Sequence, residues 1–281
     1  MLGVGESGER RRQKLPWSVV GDQMLTMFPF PAILQWRDNG TLSSDRSRAR
    51  WRKLYVASHI ITEQLGNGLT LAVEPMPHLR SVSWTLLIPA GSAGDPDGQN
   101  GSAQLLAGML YRGAGDRDAR QLSDALDDLG VQRSGSLSYE YATFGGACLA
   151  DDLVPALTLY ADIVRRPQLP ATELDAERAL ALQALASLND NPTQKLFTQL
   201  TQVYFPGSFG RSRIGTAEDL ERIDIDDLKR DHSTRFGPNG AILSVAGGVQ
   251  FEEVRALAEN LFGDWEPVAP QRPRAQVRTG A

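Results

Sequence analysis

Apolar positions along the chain repeat with two different periods, and the changes between them divide the sequence into elements. Residues 60–74 are apolar on both sides of Asn67-Gly68. Asn-Gly between two apolar runs predicts a hairpin, because both residue types tolerate the left-handed backbone a tight turn needs. Residues 81–88 (SVSWTLLI) read as a second strand region, ended by Pro89-Ala90-Gly91, and Asp95-Pro96-Asp97-Gly98 reads as a turn. The period then changes. Leu105, Leu106, Met109 and Leu110 recur at spacings of three and four, which predicts a helix over 102–111, stopped by Gly113 and Gly115.

A helix over 120–129 closes at Gly130, and two strands fill 131–150. Further helices are predicted over 153–164, 172–188, 192–204, 217–223 and 225–236, with Asp224 and Asp226 as candidate caps for the last. A strand over 241–246 and a helix over 251–262 complete the pattern. Strands followed by helices, twice over, imply an α+β fold: a mixed, mainly antiparallel sheet with helices packed on one face.

Residues 1–53 keep neither period. They carry Arg10, Arg11, Arg12 and Lys14, then Arg46, Arg48, Arg50, Arg52 and Lys53, and read as a poorly ordered basic extension. The folded domain is expected over 54–266, and 267–281 form a Pro/Arg-rich tail. Composition changes this little, since 41% apolar and 22% charged residues are ordinary for a globular chain. A net charge of -5 gives no global attraction to nucleic acid or anionic lipid, so neither is an expected partner. No apolar run is long enough to span a bilayer, and Pro29 and Pro31 interrupt the most apolar early stretch. The sequence leaves the compartment open, with the cytoplasm slightly favoured. The one cysteine, Cys148, excludes an internal disulfide and lies among small apolar residues, as a buried core position would.

Several pieces taken in order carry a family resemblance. Gly66-Asn67-Gly68-Leu69 opens the series, and Pro89-Ala90-Gly91-Ser92 follows. The stretch 100–113 (NGSAQLLAGMLYRG) has the frame of a zinc-binding helix written GxAHxLEHMLFKG. Tyr204-Phe205-Pro206, the stretch 210–216 (GRSRIGT), the stretch 236–239 (FGPN) and Ala246-Gly247-Gly248 come after it. Residues 64–266 thereby resemble the N-terminal half of the M16 peptidases, the family of insulinase, pitrilysin and the processing peptidases. The resemblance implies a single M16 half as the fold. Active members use two histidines four residues apart as zinc ligands, with a Glu between them as general base, all on one helical face.

Register on the stretch 109–113 (MLYRG) puts Gln104 at the first histidine position, Ala107 at the base and Gly108 at the second histidine. The third ligand, a Glu 76 residues beyond the second histidine, falls on Ala184. A family Glu seven residues earlier is retained as Glu177, read as a solvated or capping residue at a helix start. His59, His78 and His232 are far apart, and His232 reads as an exposed helix residue. The resemblance therefore implies a non-catalytic peptidase-like protein with no metal or cofactor of its own, where active relatives hold zinc. Its expected partner is a homologous M16 subunit, or a second copy of itself. An extended peptide could add to a sheet edge, with the strand near Gly91 as the candidate. Two alternatives stand beside this reading: a zinc metalloendopeptidase active only with a partner chain, and an anionic-polymer adaptor working through the basic residues 1–53.

Overall fold

A computed structural model describes residues 59–268 together with Pro273 and Ala275; the predicted basic extension and most of the tail lie outside the described residues. All described residues belong to one unit, Val56–Ala281. Its centre is a six-stranded sheet in the order β1 (Ile61–Gln64), β2 (Thr70–Pro75), β8 (Ile242–Gly247), β3 (Ser81–Ile88), β7 (Ala142–Leu149), β6 (Gln132–Leu137). Only the β2–β8 pairing is parallel, so the sheet is mixed and mainly antiparallel as expected. A small ribbon of β4 (Gly113–Ala114) and β5 (Arg117–Asp118) was not foreseen, because two-residue strands have no period to read.

Strand alternation explains the layering. In β3 Val82, Trp84, Leu86 and Ile88 are buried while the residues between them are partly exposed. Register aligns Trp84 with Val245, Leu86 with Leu243, and those two with Val73 and Leu71, making one continuous apolar face. Helices supply the opposing layer: α1 (Ser102–Met109), α2 (Ala119–Asp128), α3 (Leu153–Arg165), α4 (Leu174–Ser187), α5 (Pro192–Tyr204), α6 (Ala217–Arg222), α7 (Ile225–Arg235) and α8 (Phe251–Phe262). These correspond to the predicted helices within a few residues. The first hairpin forms too, but only Gly68 takes a positive φ, of 94°. Asn67 instead accepts from the Leu69 N–H and donates to the Phe262 carbonyl at 2.5 Å, tying the turn to the end of α8.

Three expectations need correction. The strand leading to Gly91 is internal, flanked by β8 and β7, so it offers no edge for an added peptide; the sheet edges are β1 and β6. Gly91, Ser92 and Ala93 instead bond to the β6–β7 turn at Glu140, Ser138 and Tyr139. His232 is half-buried: its Nε2 lies 2.9 Å from the Val164 carbonyl and its ring stacks on Phe236, and burial lowers its pKa. Asp226 does not cap α7. Asp224 accepts from the Asp227 N–H, and Asp227 returns the bond to the Asp224 N–H.

Candidate functional site

The helix that carries the candidate positions is α1, and its start is fixed by buried charge. Gly101 precedes it at φ 102°, a conformation that suits glycine. Asp95 then accepts from the backbone N–H of Gly101 at 2.8 Å and of Ala103 at 3.1 Å, satisfying two of the orphan donors of the helix. Arg235 of α7 lies between Asp231, its i-4 neighbour, and Asp95 at 3.4 Å, and donates to the Gly91 carbonyl at 2.9 Å. Ser102 donates to Asp231 at 2.7 Å. Burial pushes the Asp95 carboxyl up to about 6, with Arg235 and the two N–H bonds opposing it.

The other end of α1 packs against α4. Here the Glu177 carboxylate occupies the space beside Gly108. A Cβ on Gly108 would lie 2.2 Å from Glu177 Oε2 and 2.8 Å from its Cδ. Arg112, one turn after Gly108, holds that carboxylate. Its Nε donates to Oε1 at 2.6 Å, and a second guanidinium nitrogen contacts the same oxygen. The same guanidinium lies 3.8 Å from Glu173. Glu177 is therefore neither solvated nor a cap: its side chain is 12% exposed and ion-paired with Arg112, just beyond the end of α1. An open groove lined by Tyr111, Leu122, Leu126 and Arg133 runs beside the pair.

Gln104 and Gly108 lie one turn apart on α1, with Ala107 on the same face. Ala184 lies on α4 two turns beyond Glu177, exposed. These four positions offer one amide between them. The nearest acidic side chain, Glu177, is already engaged by Arg112. Among the described residues, no group of three His, Cys, Asp or Glu side chains converges as a metal site. A catalytic zinc takes three nitrogen, sulfur or carboxylate ligands, and the residues present do not fit it. Cys148 is buried as expected, and its thiol is pushed up to about 11 by burial first and then by Asp152.

The family model of insulinase, peptidase family M16, matches residues 70–217. The chain belongs to the M16 peptidase family. A second model, the peptidase M16 inactive domain, matches residues 222–280. An uncharacterized zinc protease of Rickettsia bellii is 28% identical over 200 residues, 71% of this chain and 48% of that protein. The mitochondrial-processing peptidase subunit beta of Lentinula edodes is 28% identical over 70% of this chain and 43% of its own. The crystal structure of a peptidase M16 inactive domain from Pseudomonas fluorescens shares the fold, with a TM-score of 0.71 at 20% identity over 77% of this chain and 53% of that one. This M16 chain thus spans about half the length of the curated relatives it matches.

Two features of the site escaped the sequence reading. Arg112 is 65 residues from Glu177, and no periodicity joins them. The buried charge cluster left one trace, the i, i+4 spacing of Asp231 and Arg235, but Asp95 read only as a turn residue.

Proposed function

We propose that this M16 chain is a non-catalytic subunit that works with a homologous zinc peptidase or as a scaffold. The observation that carries the reading is steric as well as chemical. The second ligand position is a glycine whose side-chain space is taken by the Glu177 carboxylate, itself held by Arg112. Gln104, Ala107 and Ala184 supply neither base nor ligand at the remaining positions. The site is then a docked joint between α1 and α4 rather than a metal cleft. The names of the relatives favour a second reading, a zinc-dependent endopeptidase, which would need ligands lent by a partner chain. The polymer-adaptor reading rests on residues 1–53, outside the described residues.

The test is zinc content of the purified chain together with cleavage of an unstructured peptide, with and without added zinc. The expected result is no stoichiometric zinc and no turnover. Stoichiometric zinc with chelator-sensitive cleavage would overturn the proposal.

A further inference from the structure

Prolines recur every three residues where the chain leaves its last helix, at Pro267, Pro270 and Pro273. Three residues make one turn of a polyproline II helix, so this spacing suits an extended segment with its rings along one side. Val268 fixes the start of the segment. It packs on Gly237, where a Cβ would lie 2.5 Å from Val268 Cγ2, and its carbonyl accepts from Asn239 Nδ2 at 3.5 Å. Five residues later Pro273 is half-buried and forms one wall of a small cavity. The other walls are Pro89, Gly91, Gly94 and the β6–β7 turn at Tyr139, Glu140 and Tyr141.

The walls of that cavity are held rigidly. Gly91 donates to the Glu140 carbonyl at 3.1 Å, and a Cβ on Gly91 would lie 2.4 Å from the Glu140 backbone. The Tyr141 N–H donates to the Ser138 hydroxyl at 2.9 Å, and the Tyr139 ring is flanked by Phe209 at 5.9 Å and the Arg213 guanidinium at 5.6 Å. Fixed aromatic rings suit a proline, whose own ring already restricts the backbone and so loses little freedom on docking. Charge points the same way. Pro273 also borders the cleft over the α1–α7 joint. There Arg211 pairs with Asp97, Arg230 with Asp227, and Arg235 with both Asp231 and Asp95, which leaves one carboxylate in excess. Pro273 stands between Arg272 and Arg274 in the sequence. We infer that Tyr139, Tyr141 and Pro89 form a binding site for the proline of an extended basic segment, and that its occupant is the tail of this same chain, anchored at Pro273. The anchor needs neither metal nor partner subunit, so this inference and the functional proposal can fail separately.

Limited trypsin digestion of the full chain tests the anchor. Trypsin can cut after Arg274, beside Pro273, and after Arg278, farther along the tail. Each rate is divided by that of the same bond in a synthetic peptide of residues 267–281 carrying the same substitution. In the wild-type chain the cut after Arg274 is then expected to be roughly fivefold slower than the cut after Arg278. In Pro273→Ala, and in Tyr139→Leu, the two normalised rates are expected to be equal. Pro273 lies outside every helix and strand of the described residues, so its substitution releases the tail without unfolding the domain. Equal normalised rates in the wild-type chain, or a slow cut after Arg274 that survives Pro273→Ala, would overturn the inference.

Discussion

Gly108 shows how one residue can be explained by the residue beside it. In an isolated helix Gly108→Ala is expected to stabilise by about 1 kcal/mol. Here the new methyl would meet the Glu177 carboxylate that Arg112 pins in place. Gly108→Ala is therefore expected to gain less than this in the wild-type chain, where the Glu177 carboxylate must shift, and the full increment of about 1 kcal/mol in the Glu177→Ala chain. A double-mutant cycle in urea is expected to show this coupling, with additive effects counting against the contact. Asp95 carries a second residue-scale expectation. Its carboxyl titrates at about 6 in the folded chain against an ordinary 3.8, so between those values the folded chain binds more protons than the unfolded one. The contribution of this group to stability is thus greatest at low pH, falls as pH rises through the window, and is level above it. The wild-type unfolding free energy is expected to drop by roughly 2 kcal/mol more than that of Asp95→Asn between pH 4 and pH 7. Parallel pH curves for the two chains would mean that burial does not control this titration.

At the scale of elements, the placement of α1 depends on α7 more than on its own short sequence. Eight residues form a marginal helix by themselves. The buried group of Asp95, Ser102, Asp231 and Arg235 joins its first turn to the end of α7. Arg235→Met strands two buried carboxylates, and its expected cost is about 3–5 kcal/mol in urea unfolding. Arg230→Met, on the same helix, loses an exposed pair with Asp227 and is expected to cost less than about 1 kcal/mol. Equal costs for the two would mean that burial does not set the strength of the α1–α7 joint. Most of the helices themselves were legible in the sequence because apolar spacing of three and four follows from the geometry of a helix facing a core. The charge joint was not, because its members come from three separate stretches.

At the scale of the whole molecule, helix α5 leaves the apolar side chains of Leu196, Phe197, Leu200, Val203 and Tyr204 exposed. Family membership belongs to this scale too, since it rests on ordered motifs and a sheet order, not on any one residue.

The sequence by itself determined the element order, the α+β class, the family frame, and the residue types at Gln104, Ala107, Gly108 and Ala184. Those features are written in local periodicity and in motif order, which need no knowledge of distant contacts. Only the tertiary structure decided that the strand near Gly91 is internal, that His232 is half-buried, and that Glu177 fills the space beside Gly108. Strand order is decided by pairing between residues far apart in the chain, as when Trp84 comes to lie beside Val245. Side-chain partners are decided by the packing of helices, which brings Arg112 to Glu177. The outward turn of α5 has the same cause: periodicity marks an apolar stripe, but only the packed domain shows which way it faces.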